Sequence, residues 1–375
     1  MIARTLEHVL KERFGRGKAI VVLGPRQVGK TTLVNHCLAD HEVLFLNGDD
    51  INVRRTLETA GGAVLKALIG KFRWVFIDEA QRIRDIGLVS KLIVDGFNDV
   101  QLVISGSSAL DINQALQEPL TGRKFEYHLY PIGWEEFEDH VGYLEAQAQL
   151  EERLIYGMYP DVIVNRSNAQ EILKQLASSY LYKDVLALSG IRRPELLEKL
   201  LQALALQIGN EVSYNELAQL LGVDKATVAK YIDLLEKTFI VFKLRSFNRN
   251  ARNEIKNNRK IYFYDTGIRN AILNNFNALD LRADKGALWE NFLIVERMKR
   301  NAYHQRHVNS YFWRTTTGQE IDYVEEANGI LTAYEFKWKT QPMHKMPASF
   351  FANYTAQGEL IDTSSFRDFV RFQGR

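Results

Sequence analysis

One eight-residue segment restricts the possible folds of this chain more than any other. Residues 24–31 read GPRQVGKT and fit the pattern G-x-x-x-x-G-K-[ST]. They follow a short apolar run at residues 18–23, typical of a buried strand, and precede residues 32–38, which have helical character. In this strand–loop–helix context the pattern forms a phosphate-binding loop, or P-loop. The sequence therefore predicts an α/β domain with a parallel sheet that binds a nucleoside triphosphate.

Each part of this loop has a predicted physical role. The glycines let backbone N–H groups wrap around phosphate oxygens, and the N-terminus of the following helix favours negative charge. Lys30 is expected to reach the β- and γ-phosphates of ATP, and the Thr31 hydroxyl to bind Mg²⁺. The predicted nucleotide-binding set is the loop and the residue after it: Gly24, Pro25, Arg26, Gln27, Val28, Gly29, Lys30, Thr31 and Thr32.

A second apolar run, at residues 72–77, ends in Asp78 and Glu79. An Asp-Glu pair after a strand is often only a solvated strand end, but beside a P-loop it indicates a Walker B site. Asp78 is then expected to hold Mg²⁺ through water, and Glu79 to polarise the water that attacks the γ-phosphate. The sequence thus predicts an ATPase.

Two further residues are weaker candidates for the same site. The predicted strand at residues 100–105 is followed by Ser107, which could sense the γ-phosphate; an ordinary Ser/Gly turn is the alternative. Arg123 follows Gly122 and could act as an arginine finger on the ATP of a neighbouring subunit. The alternative is that Arg123 is an ordinary surface arginine. The arginine-finger interpretation implies that the protein forms a homo-oligomer.

Five segments resemble the AAA-type ATPases that carry a C-terminal DUF4143 region. They are GPRQVGKTTL at 24–33, FIDEAQ at 76–81, SGSS at 105–108, LTGR at 120–123 and PIGWEEF at 131–137. The similarity covers nearly the whole chain. It implies an AAA-like ATPase fold and an association with DNA.

The middle of the chain predicts a helix-turn-helix. Helical patterns at residues 196–208, 213–221 and 224–237 surround the turn Leu221-Gly222-Val223, and two β-rich stretches follow at 239–244 and 260–264. This order indicates a winged helix. Residues 243–260 carry seven basic side chains and one acid, so the predicted wing would contact DNA phosphates. The groove-facing residues are expected to be Lys225, Thr227, Lys230 and Tyr231; a protein-interaction module with a solvated hairpin is the alternative.

The C-terminal part predicts a helix at residues 286–300 and three strands, at 311–314, 319–325 and 330–339. Asn328-Gly329 is a hairpin turn signal between the last two strands. Strand alternation places Tyr334 and Phe336 on one face and Glu335 with Lys337 on the other.

An acid on one strand and Glu-x-Lys on the next resemble the PD-(D/E)xK nuclease fold. In that fold Asp322 and Glu335 would hold Mg²⁺, Glu290 would complete the metal shell, and Lys337 would position or deprotonate the attacking water. Half-exposed strands carry such residues routinely, so cleavage itself stays an open alternative.

The predicted domains are an ATPase at 1–130, a helical connector at 131–195, a winged helix at 196–265 and a nuclease-like α/β domain at 266–375. The single cysteine, Cys37, excludes an internal disulfide framework. No apolar run approaches the about 20 residues of a membrane span, and charged residues interrupt the N-terminus, so a cytoplasmic protein without membrane contact is expected.

Three functions are compatible with these sequence features. The first is an ATPase coupled to DNA binding and to a Mg²⁺-dependent nuclease. The second is an ATP-regulated switch without cleavage, in defence or in a toxin–antitoxin system. The third is a transcriptional regulator whose winged helix binds an operator.

Overall fold

A computed structural model describes residues 1–107, 119–180, 193–248, 259–339 and 345–372. For residues 179 and 180 it describes the backbone alone. Clustering of contacts divides the chain into two compact units. The first contains Met1–Pro131 and Lys237–Phe239. The second contains most of the remaining chain.

A parallel five-stranded sheet forms the centre of the first unit. Its strands are β1 (Ala19–Leu23), β2 (Val43–Asn47), β3 (Trp74–Asp78), β4 (Gln101–Gly106) and β5 (Lys124–His128), in the spatial order β2-β3-β4-β1-β5. Every residue of β1 is fully buried, which its unbroken apolar sequence requires of a strand covered on both faces. Strand β4 lies between the P-loop strand β1 and β3, so the carboxyl ends of all three meet at one edge.

Helices connect these strands. They are α1 (Leu6–Arg13), α2 (Lys30–Cys37), α3 (Ile51–Glu58), α4 (Gly62–Ile69) and α5 (Ile86–Gly96). Helix α2 begins at the P-loop lysine itself, two residues before its predicted start. Asp50 caps α3 because its side chain accepts a hydrogen bond from the Asn52 N–H.

The second unit opens with short helices. They are α6 (Trp134–Val141), α7 (Tyr143–Ala148), α8 (Leu150–Tyr156), α9 (Pro160–Val164) and α10 (Ala169–Gln175). Gly157 ends α8 with a positive φ, and Pro160 starts α9 at a position where a missing N–H costs nothing. The Glu138 carboxylate accepts hydrogen bonds from Arg367 and Arg371, which fastens α6 to the C-terminal end of the chain.

Three helices and a hairpin follow. They are α11 (Pro194–Leu206), α12 (Tyr214–Leu221), α13 (Lys225–Lys237), β6 (Val241–Ser246) and β7 (Arg259–Phe263). Gly222 takes the left-handed conformation that the turn between α12 and α13 needs, and Asp224 caps α13 through the Thr227 N–H. Glu211 forms an isolated antiparallel bridge with Lys260 of β7, which ties the approach to α12 to the hairpin.

The C-terminal part follows the order helix, three strands, helix, strand. These elements are α15 (Lys285–Tyr303), β8 (Asn309–Arg314), β9 (Glu320–Ala327), β10 (Ile330–Phe336), α16 (Ala348–Asn353) and β11 (Ala356–Ile361), with α14 (Thr266–Ile272) before them and α17 (Phe366–Val370) after. Strands β8, β9 and β10 form an antiparallel meander, and β11 is parallel to β10. With the hairpin they make one six-stranded sheet, β11-β10-β9-β8-β6-β7.

Both faces of this sheet are packed. Tyr334 and Phe336 contact Phe369 of α17, and Ala333 belongs to a core cluster with Phe350 of α16. Asn328 and Gly329 both have positive φ, as the tight hairpin turn between β9 and β10 demands. The guanidinium of Arg297 binds Glu325 through two nitrogens, at 2.9 and 2.6 Å, so the charged pair buried under this sheet is compensated.

Candidate functional site

The backbone of the P-loop is shaped by residues with positive φ. Gly24 approaches Leu129 so closely that a Cβ added to it would lie 2.0 Å from that carbonyl oxygen, so no other residue fits there. Gly29 has φ +93° and forms the N-cap of α2, where backbone N–H groups are available to an anion. Gln27 is exposed at φ +60°, whereas Val28 is fully buried. The predicted nucleotide-binding set also includes Pro25, Arg26 and Thr32.

Two cationic side chains bind backbone carbonyl groups of the loop. The Lys30 ammonium donates to the carbonyl oxygens of Gly24 and Pro25, at 2.9 and 2.8 Å. Arg4 lies 24 residues before Val28 in the sequence, yet its guanidinium donates to the Val28 carbonyl at 2.8 Å and to that of Tyr130 at 2.7 Å. Arg4 therefore fixes the base of the P-loop, and no motif pointed to it.

The Walker B carboxylate contacts the P-loop threonine directly. The Thr31 hydroxyl donates to Oδ2 of Asp78 at 2.8 Å, and the Ser105 hydroxyl donates to Oδ1. Ser105 is the penultimate residue of β4, which separates β1 from β3. The strand order thus brings hydroxyl and carboxylate oxygens together, and these are the ligands that Mg²⁺ prefers.

The second carboxylate of the pair, Glu79, is fixed by a residue that has no predicted role. Gln81 donates from one amide nitrogen to Oε2 of Glu79 at 2.5 Å and to the Ser107 hydroxyl at 2.9 Å. Glu79 itself has φ +49°, a strained conformation for a residue with a side chain. The structure therefore brings Glu79 and Ser107 together through Gln81.

Arg123 lies outside this group of residues. Its guanidinium donates to Asp95 at 2.7 Å, and its side chain is 46% exposed. Its role on a neighbouring subunit stays a prediction.

The residues of this first site fit a magnesium–nucleotide complex. A Cβ added at Gly29 would meet no described atom within 4 Å, α2 presents its N-terminus there, and the oxygen pair of Thr31 and Asp78 is already in contact. A phosphate would offer Lys30 charged acceptors in place of two neutral carbonyl groups, which makes the exchange favourable.

A second group of polar residues lies on the C-terminal sheet. Asp322 on β9 accepts a hydrogen bond from the Phe336 N–H at 2.8 Å, and the Lys337 ammonium lies 2.7 Å from Oε1 of Glu335. Burial and the negative charges of Glu290 and Glu335 raise the pKa of Asp322 well above its usual range. The sheet and α15 therefore bring Glu290, Asp322, Glu335 and Lys337 within electrostatic reach of one another.

Three further residues belong to this acidic site. Lys260 of β7 is only 1% exposed; its ammonium lies 2.9 Å from Oε1 of Glu290 and also pairs with Glu320. The Tyr262 hydroxyl donates to the same Glu290 oxygen at 2.5 Å. The Asp…Glu-x-Lys motif could not reveal Lys260 and Tyr262, because they come from β7, another part of the chain. Glu320 lies on β9, two residues before Asp322.

The acidic site fits a divalent cation by donor type and by charge. Its four carboxylates, those of Glu290, Glu320, Asp322 and Glu335, are hard ligands, and they outnumber its two lysines, Lys260 and Lys337. Within the described ranges, however, no three His, Cys, Asp or Glu residues are placed to hold a metal ion together. The shell predicted from Glu290, Asp322 and Glu335 is thus not preassembled, because Lys260, the Phe336 N–H and Lys337 each engage one of these carboxylates.

The structure corrects several residues of the predicted DNA-binding surface. Tyr231 is buried, so it cannot face a groove, whereas Lys225 and Lys230 are exposed on α13. Lys260 is buried in the acidic site, and Lys243 forms ion pairs with Asp233 and Glu236. Of the remaining predicted bases, Arg245 is exposed, Arg259 lies over the Tyr214 ring, and Arg249, Arg252 and Lys256 fall outside the described residues.

None of the helices in the described ranges is long and apolar enough to cross a membrane.

Comparison with family models divides the chain into three matches. Residues 16–138 match the AAA domain, residues 147–279 a domain of unknown function, DUF8612, and residues 285–367 a second one, DUF4143. The chain therefore carries an AAA-type ATPase domain followed by a C-terminal DUF4143 domain.

Individual relatives are more distant. An uncharacterized protein of Mycobacterium tuberculosis is 28% identical over 341 residues, which is 89% of this chain and 73% of that protein. An uncharacterized protein of Haemophilus influenzae is 24% identical over 307 residues, 75% of this chain and 74% of the relative. Among solved structures, the Walker-type ATPase paby2304 of Pyrococcus abyssi matches with a TM-score of 0.52 and 15% identity, covering 73% of this chain and 96% of that one. This last similarity concerns the fold alone.

The charge around Asp322 predicts a pH-dependent effect of Asp322→Asn on stability. Because the pKa is raised in the folded state, the carboxyl group stabilises that state only while it is protonated, and the benefit is lost as the pH rises through the raised pKa. The amide is neutral at every pH, so D322N should melt at a higher temperature than wild type at pH 8, and the difference should shrink toward pH 4. Calorimetric unfolding across this range measures it. The control E359Q removes an exposed carboxylate from β11; a D322N effect that is negative or independent of pH would contradict the charge argument.

Proposed function

We propose that this protein hydrolyses ATP at the P-loop site and uses the hydrolysis cycle to control a DNA-binding module in its second unit. The observation that supports the ATPase part best is the 2.8 Å contact between Thr31 and Asp78, with Glu79 fixed by Gln81 beside it. The AAA match over residues 16–138 points the same way.

Each residue of the site has one task in this proposal. The P-loop N–H groups and Lys30 bind the phosphates, and Glu79 orients the attacking water in line with the γ-phosphate. Gln81 keeps the Glu79 carboxylate next to Ser107, at the end of β4. Mg²⁺, when bound through Thr31 and Asp78, neutralises charge on the β- and γ-phosphates.

Arg123 would complete this site from outside in a homo-oligomer. Its present partner, Asp95, is itself partly exposed, so the exchange of that carboxylate for a phosphate of a neighbouring subunit is sterically open. We propose an oligomer on this basis.

Two substitutions separate ATP binding from ATP hydrolysis. Lys30→Ala removes the phosphate-binding charge, so both nucleotide affinity and phosphate release should fall by about a hundredfold or more. Glu79→Gln keeps the side-chain volume but loses the carboxylate, so ATP should still bind while turnover falls by about 10²–10⁴-fold. Binding of a fluorescent ATP analogue and phosphate release measure the two effects. Lys66→Ala, at an exposed position on α4, is the matched control; normal turnover in K30A would disprove this assignment.

The DNA part of the proposal is supported by the elements α11 to β7. Three helices, a capped glycine turn and an antiparallel hairpin follow one another in the order of a winged helix, and Glu211 bridges to the hairpin. Lys225 and Lys230 lie one turn and a half apart on α13, both exposed, with Ala226 and Ala229 leaving room for close approach. Such a helix would supply phosphate contacts more readily than base recognition.

A double charge reversal on α13 tests this surface. Lys225→Glu with Lys230→Glu should weaken binding to duplex DNA at least tenfold at low salt, because two phosphate contacts become repulsive. The slope of log affinity against log salt should decrease by about two units. Fluorescence anisotropy at several salt concentrations measures both. The control K66E/K345E changes the charge equally at exposed positions outside these elements; equal loss in both variants would refute a specific role of α13, and salt-independent binding would refute the electrostatic model.

A second candidate function is cleavage of DNA at the acidic site. The order α15-β8-β9-β10-α16-β11 is that of a PD-(D/E)xK core, and it carries Asp322 on β9, Glu335 on β10 and Lys337 directly after it. Glu290 comes from the preceding helix, as that fold would require. This arrangement supports a nuclease better than strand alternation alone did.

Cleavage assays with Mg²⁺ or Mn²⁺ decide between this candidate and its competitors. Asp322→Asn and Lys337→Met should each lower cleavage by about 10²-fold or more, since each removes a group that would act at the scissile phosphate. The control E359Q should cut like wild type. If wild type cuts none of linear, branched and single-stranded DNA with either metal, an ATP-regulated switch in defence or toxin–antitoxin systems becomes the better interpretation, and protection of a specific operator would favour a transcriptional regulator.

A further inference from the structure

Lys260 is one of the largest fully buried side chains in the described part of the chain, and it ends among carboxylates. Its ammonium lies 2.9 Å from Oε1 of Glu290 on α15 and pairs with Glu320 on β9. We propose that Lys260 is a resident cation of the acidic site, and that it competes with a divalent metal ion for Glu290 and Glu320. This inference rests on the proposed metal-dependent site and adds a means of regulating it.

The environment of Lys260 is built for a permanent positive charge. A buried ammonium group needs charged or polar partners to compensate for lost hydration, and here two carboxylates from different elements supply them. The ring of Phe312, 5.4 Å away, offers a further cation–π contact. Two carboxylates surround one ammonium group, so the cluster keeps a net negative charge that a divalent cation would neutralise more completely.

Competition follows from the hydrogen bonds of Glu290. Its Oε1 already accepts from the Lys260 ammonium and from the Tyr262 hydroxyl, at 2.9 and 2.5 Å. A metal ion bound through that oxygen must replace at least one of these donors. The ammonium is the donor that a second cation would repel, whereas the hydroxyl is neutral.

The backbone of Lys260 connects this exchange to the proposed DNA-binding module. Lys260 pairs with Leu244 in the β6–β7 hairpin and forms the isolated bridge to Glu211, shortly before α12. Release of the side chain would remove one of the contacts that hold β7 against α15. Metal occupancy of the acidic site and the position of the hairpin are therefore linked through one residue.

Calorimetric titration of the full chain with Mn²⁺, without nucleotide, tests the competition. Lys260→Met removes the charge and approximately keeps the length of the side chain. The Mn²⁺ ion whose binding requires Asp322 should therefore bind about tenfold more tightly than in wild type. The matched control is Lys243→Met, which removes another ion-paired lysine from the same hairpin and should leave the affinity unchanged. Unchanged or weaker affinity in K260M would overturn the proposal.

A measurement on the wild-type chain covers the case in which K260M does not fold. If Mn²⁺ displaces the ammonium, Lys260 should react severalfold faster with an amine-acetylating reagent at saturating Mn²⁺, as followed by mass spectrometry of peptides. Lys243 is the internal reference. Reactivity of Lys260 that stays the same with and without Mn²⁺ would overturn the competition model.

Asp322→Asn separates this inference from the function on which it rests. If neither wild type nor K260M shows Mn²⁺ binding that D322N abolishes, both the metal site and the role of Lys260 are refuted. If wild type shows such binding and K260M matches it, only the role of Lys260 is refuted.

Discussion

The contact between Thr31 and Asp78 depends on the order of the strands in the first sheet. Strand β4 separates β1 from β3, so the P-loop threonine and the Walker B aspartate reach each other above the end of β4. Ser105 at that end binds the other oxygen of Asp78, which orients the carboxylate. Burial of the whole of β1 fixes the loop that follows it, because an apolar strand covered on both faces cannot slide without exposing its side chains.

Local patterns predicted the elements and the residues that motifs define. The P-loop, the helix-turn-helix and the β9–β10 hairpin each depend on short-range signals: glycines at positive φ, a capping aspartate, and Asn-Gly in a tight turn. The roles of Arg4, Gln81 and Lys260 were not predicted, because each of them binds at least one partner that is distant in the sequence. Arg4, for instance, binds carbonyl groups 24 and 126 residues away. Every residue has a backbone carbonyl group, so the sequence does not show which of them accept from Arg4.

Charge composition alone did not predict which basic residues of the β6–β7 hairpin face solvent, for a physical reason. Residues 243–260 look like a solvated basic run, but both of the buried or half-buried lysines in its described part are paired within the fold. Lys243 pairs with acids on α13, and Lys260 pairs with acids on α15 and β9. Tyr231 illustrates the same limit on α13: its aromatic ring gains more free energy from burial than from exposure, so this face of the helix packs inward.

The two lysines at the centre of the two sites differ in what can displace them. Lys30 donates to neutral carbonyl groups, so an incoming phosphate offers it stronger acceptors and the lysine itself joins the ligand. Lys260 donates to carboxylates, so only another cation can take its place, and the lysine must leave. The first arrangement favours binding of an anion such as ATP. The second makes binding of a cation depend on a strand that belongs to the proposed DNA-binding module, so the acidic site can respond to that module.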